Sequence, residues 1–148
     1  MATMTVNITE SLTLNGVNQG GNTSLSVTGI NDVYKRTVAC PASAVTTVAV
    51  FNSAVSGAAG AVDIENSKYI RITNLDSTNA VELAIVGAAT LYQVTLAAGQ
   101  SHMLGSADGL MLSEADTSPS FGTMADLGSI QVDPAGNAVS VEIFIASS

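Results

Sequence analysis

Apolar residues recur at every second position through most of this chain, and that period places successive side chains on opposite faces of extended backbone. In Val81-Glu-Leu-Ala-Ile-Val86, Val81, Leu83 and Ile85 share one face and Glu82 takes the other, as in a half-buried antiparallel strand. The run Val139-Ser-Val-Glu-Ile-Phe-Ile145 alternates in the same way. Helical periodicity is scarce, so the pattern predicts an all-β chain and disfavours a parallel α/β fold with helical crossovers.

Taken in order, Met4, Val6 and Ile8 fall on one face of a first strand, and Leu12 and Leu14 continue the phase until Gly16 and the Asn18–Asn22 cluster break it. Leu25–Thr28 and Val33–Cys40 flank Gly29-Ile-Asn-Asp32 and read as a hairpin. Val45–Phe51 is rich in β-branched residues. The small residues from Asn52 to Gly60 read as a loop with room for a short helix. Tyr69–Leu75, Val81–Val86 and Leu91–Leu96, separated by turn residues, read as a three-strand meander between Lys68 and Ser101. About eight to ten short strands at such spacing predict an antiparallel β-sandwich, jelly-roll-like in particular. The expected organisation is a single domain, with residues 1–22 as an N-terminal strand or arm ending in a flexible turn and 23–148 as the sandwich. At 148 residues, folding hides roughly 68–70% of the unfolded chain's surface, enough for one core.

Hydrophobic residues make up 47% of the chain, mostly small aliphatics, with no Trp and only three Tyr and three Phe. Charged residues are 11%, against about 25% in an average soluble domain. A neutral surface rich in Ser, Thr and Asn suits a protein that copies or partners will cover. Four bases, Lys35, Arg36, Lys68 and Arg71, face twelve acids for a formal charge of −8. They form no patch able to track phosphates, so nucleic acid is not an expected partner. Membrane is not expected either: no stretch reaches the ~18 apolar residues of a spanning helix, Val38–Phe51 being short and interrupted by Pro41. The first ten residues show neither a cationic region nor a continuous apolar one, so the expectation is folding in a cytoplasm without a secretory signal. Cys40 stands alone and reads as a small core residue.

Chemistry-bearing patterns are few. Walker, dinucleotide-binding, zincin and nucleophile-elbow motifs are absent. His102 could serve Ser101 or Ser106 as a base, but neighbours on a strand point apart, which disfavours Ser101; a surface or structural histidine is the reading adopted. Asp63 and Glu65 would share a strand face if extended and could hold a hard cation, although a solvated acidic edge fits them better. Asp76-Ser-Thr-Asn79 and Glu114-Ala-Asp116 lack the ligand density of a calcium loop. Tyr34, Tyr69 and Tyr92 are read as sheet packing. No catalytic, cofactor-binding or metal site is expected, and no cofactor.

The runs Ile70-Arg-Ile-Thr-Asn-Leu-Asp-Ser-Thr-Asn-Ala-Val-Glu-Leu-Ala-Ile85 and Tyr92-Gln-Val-Thr-Leu-Ala-Ala-Gly-Gln-Ser101 resemble small β-sandwich virion proteins of tailed bacteriophages over about a fifth of the chain. There a strand ending in Asn-x-Asp turns into an apolar strand, and a later Leu-x-x-Gly-x-Ser leads into the next. The resemblance implies a capsid decoration or cement protein. Such a subunit would be made in the host cytoplasm and sit on the virion surface as a homo-oligomer, often a trimer, bound to the major capsid protein. Met4, Val6, Ile8, Leu12 and Leu14 are the candidate partner-docking residues of the arm. A receptor- or glycan-binding module is the alternative, with a pilus or surface-layer subunit and a small jelly-roll hydrolase as further rivals.

Overall fold

The computed structural model describes residues 1–54, 60–88, 90–113, 118–119 and 121–148, and every regular element among them is a strand. The first four are β1 (Ala2–Thr9), β2 (Thr13–Leu14), β3 (Val17–Asn18) and β4 (Asn22–Ile30). β1 pairs antiparallel with β4 from Ala2↔Ile30 to Thr9↔Asn22. Thr13↔Asn18 and Leu14↔Val17 carry the same ribbon to its tip. At the tip Asn15 and Gly16 have φ of 51° and 78°, the two left-handed residues of a type I′ turn, which Asn-Gly adopts with little strain. Between ladder and tip, the Glu10 amide donates to the Gly21 carbonyl and the Gln19 amide to the Leu12 carbonyl, both at 2.8 Å. A Cβ on Gly20 would collide with the Glu10 carbonyl oxygen, so the limbs can run this close only with glycine there.

Two expectations change here. The Asn18–Asn22 cluster is the returning limb of a hairpin and not the end of an arm, and Leu25–Thr28 pairs with β1 instead of with the strand that follows. β4 ends at Ile30 and β5 (Asp32–Cys40) starts at Asp32; the single linking residue is too short for the two-residue loop of a hairpin. The chain turns a corner instead and leaves the ribbon for the sandwich.

β6 (Thr46–Asn52), β7 (Val62–Asp63), β8 (Ser67–Asn74), β9 (Val81–Gly87), β10 (Leu91–Leu96), β11 (Ser101–Leu104), β12 (Leu127–Asp133) and β13 (Val139–Ser147) complete it. Pairing is nested: β9 with β10, β8 with β11, β6 with β12, and β5 with β13. The chain is thus a long antiparallel hairpin rolled so that its strand pairs alternate between two sheets. β12–β9 and β13–β8 pairings complete the rows. One sheet reads β10-β9-β12-β6-β7 and the other β11-β8-β13-β5, which is the double Greek key of a jelly roll. The all-β sandwich expected from the alternation is therefore present. The meander is corrected: β9 and β10 form a hairpin, but β8 lies in the opposite sheet, because alternation specifies the buried face and not the neighbour.

The two inner faces meet in one core. Ile70 and Ile72 of β8 and Val141, Ile143 and Ile145 of β13 oppose Leu83 and Ile85 of β9 and Ile130 and Val132 of β12, all fully buried. Each such side chain contributes about 1.5–3 kcal/mol relative to exposure. A second, smaller cluster lies outside: Met4, Val6, Val27 and Ile30 of the ribbon pack on Tyr69, Phe144 and Ala146. The ribbon is a third layer on the outer face of the four-stranded sheet.

Candidate functional site

Of the five candidate docking residues, the structure separates two from three. Met4 and Val6 are half-buried and hold the ribbon to the sheet. Ile8, Leu12 and Leu14 are exposed, together with Val17 and Leu25, at 44–58% of their full surface. Val17 and Leu25 escaped the sequence reading; the Asn15-Gly16 pair was the signal that would have folded both limbs into one hairpin. Side chains held in this way present an apolar surface on a backbone braced by its own ladder.

Where the ribbon crosses the sheet it leaves a groove of about 240 Å³. Val6, Ile8 and Leu25 form one wall and Tyr69, Met103 and Leu104 the other, with Lys68 also lining it. Beside it the sheet face is polar. Arg71 donates to Glu142 at 2.6 Å and to the Thr73 hydroxyl, and its guanidinium lies 5.9 Å from the Phe144 ring centre. Lys35 approaches the same carboxylate at 3.4 Å. The Arg71 hydrogen bond, aided by Lys35, holds the Glu142 carboxyl below its ordinary range. All four basic residues lie on β5 and β8, in the four-stranded sheet. The strands of the other sheet carry Asp63, Glu82 and Asp133 and no base.

The remaining singled-out residues take structural positions. His102 faces inward from β11, its Nε2 3.1 Å from the Tyr92 hydroxyl on β10, so the two link the sheets at one edge of the sandwich. Burial lowers the His102 pKa and raises that of Tyr92. Ser101 faces the other way, 2.8 Å from the Thr73 hydroxyl, and the Ser106 hydroxyl accepts the Asp108 amide. Asp63 ends β7 and Glu65 lies in the following turn, so the extended segment that would align them is absent. Asp63 caps that turn by accepting the Asn66 amide. No group of three or more metal-ligating side chains occurs among the described residues. Glu114-Ala-Asp116 and most of the Asn52–Gly60 loop lie outside them. Cys40 is buried, and desolvation raises its thiol pKa.

The Asn74-Leu-Asp76 turn and the Leu96–Ser101 segment act as structural locks. The fully buried Asn74 donates its amide toward the carbonyls of Asn79, Leu96 and Ala97 at 2.8–3.2 Å and accepts the Asp76 amide. Asp76 accepts the amides of Asn79 and Thr78 at 2.7 and 2.8 Å, which lower its pKa. The Gly99 turn, with φ of 73°, brings Leu96 and Ala97 under Asn74.

The fold defines the class of this protein: a jelly-roll β-sandwich carrying an added β-ribbon. No family model and no curated protein matches the chain. Among solved structures it is similar to one described by the words "Bacillus endospore appendages form a novel family of disulfide-linked pili". The two share 12% identity over 85% of this chain and 98% of that one, with a TM-score of 0.41. A superposition so loose carries no argument about what this chain does.

Proposed function

We propose that this chain is a non-catalytic structural subunit that works by association, as a capsid decoration subunit on the shell of a tailed bacteriophage. The observation that carries the first half is the ribbon: Ile8, Leu12, Leu14, Val17 and Leu25 are kept out of the protein's own core and presented together. A surface so poor in charge loses little solvation when covered, since its hydroxyl and amide groups find new partners at modest cost. Repeated copies on a lattice convert weak single contacts into strong collective binding, and binding only to the assembled shell stabilises that shell. The shell as partner rests on the resemblance in Ile70–Ile85 and Tyr92–Ser101 alone.

Co-sedimentation with emptied heads of tailed phages tests the reading. Saturable binding that is lost on Leu12→Glu/Leu14→Glu substitution is the expected result. Retention by a glycan array with no binding to any shell would replace it with the receptor-binding alternative.

A further inference from the structure

We propose that the ribbon tip of one copy seats in the groove between ribbon and sheet of a second copy, so that the chain associates head to tail. This rests on the reading that the chain works by association, and it names the partner as the chain itself. The tip carries Leu12, Leu14 and Val17, all more than half exposed. The groove is walled by apolar side chains and is about 240 Å³, so one molecule bears both an uncovered apolar knob and an uncovered apolar slot. The charges beside them match. Glu10 flanks the knob and Lys68 lines the slot, and neither is in an ion pair with a described residue. The other two charged bases near the slot, Lys35 and Arg71, are already held by Glu142.

The tip cannot fill its own slot. Ile8 and Leu25 form part of the wall, and Leu14 lies six residues of extended chain beyond Ile8, roughly 20 Å away. Folding back would break the ladder from Glu10–Gly21 to Leu14–Val17. A second copy meets no such restriction. Knob and slot are different patches, so the contact is heterologous and generates a closed ring or an open row.

Complementation between two variants tests this, read as mass by light scattering, with circular dichroism confirming that each is folded. Leu12→Glu/Leu14→Glu destroys the knob and keeps the slot; Met103→Glu does the reverse. The unaltered chain is expected to associate, each variant alone to be monomeric, and their equimolar mixture to stop at a heterodimer, because one intact knob and one intact slot remain. A monomeric unaltered chain, an associating knob variant or a mixture that stays monomeric would overturn the contact. Shell binding is scored separately: a monomer that coats phage heads would remove the head-to-tail contact and leave the structural-subunit reading standing, whereas association without shell binding would keep the contact and remove the phage shell as partner.

Discussion

Asn74 is the residue on which the most backbone depends. Its amide group satisfies carbonyls from two separate connections, β8–β9 and β10–β11, at a position fully shielded from water. Asn74→Ala strands those carbonyls, and with about 1–3 kcal/mol for a buried unsatisfied group the expected loss is about 2–4 kcal/mol. Urea unfolding checks it: a lower midpoint at unchanged slope is predicted, and an unmoved midpoint would show that water replaces the amide. His102 makes a pH prediction. Burial lowers its folded pKa, so below its unfolded value of about 6.5 the unfolded chain binds more protons than the folded one. The His102 contribution is therefore complete above that pH and is lost as pH falls toward the folded pKa. Thermal melts from pH 7.5 to 5.5 are expected to show a fall that His102→Gln reduces. The sequence marked His102 as a surface or structural histidine and Asn74 as the end of a strand before a turn, but the partners of both were not legible, because they lie across turns or in the opposite sheet.

At the scale of elements, strand existence was legible and strand partnership was not. The alternation in Val81–Val86 and Val139–Ile145 marks the core face correctly, with Val81, Leu83, Ile85, Val139, Val141, Ile143 and Ile145 all buried. It cannot say that β13 lies between β5 and β8, because pairing depends on how the long hairpin rolls. The ribbon shows the same division. Its apolar phase was readable from Met4 to Leu14, while its return through Asn22–Ile30 was not, since a Gly/Asn cluster suits a flexible turn as well as a hairpin limb. Gly16→Val forces a β-branched residue into the left-handed region, at about 1–2 kcal/mol. Amide exchange is expected to quicken at the tip and along β1 and β4 while β8, β9 and β13 keep their protection; uniform acceleration would mean that the ribbon and the sandwich unfold as one unit. Removal of residues 1–22 takes away β1 and leaves β4 unpaired over Tyr69 and Phe144, whereas removal of 1–30 takes the layer whole. The longer deletion is expected to keep the sharper thermal transition, and the reverse order would contradict a separable ribbon.

On the scale of the molecule, three layers divide the work. The two sheets of the jelly roll enclose one core, mostly aliphatic. The ribbon adds little to that core, holding on through Met4, Val6, Val27 and Ile30, and spends its other apolar residues on the outside. Charge is divided as well, with every base on the four-stranded sheet beneath the ribbon and acids alone on the strands of the other. On the ribbon side Lys68 lines the apolar groove while Lys35 and Arg71 are held by Glu142, and a second copy at net charge −8 brings both acidic groups and apolar surface to it. The most direct test of association is the mass of the purified chain by light scattering across a dilution series. A multiple of 14.9 kDa that falls toward the single-chain value on dilution is the predicted result, and 14.9 kDa at every concentration would contradict it.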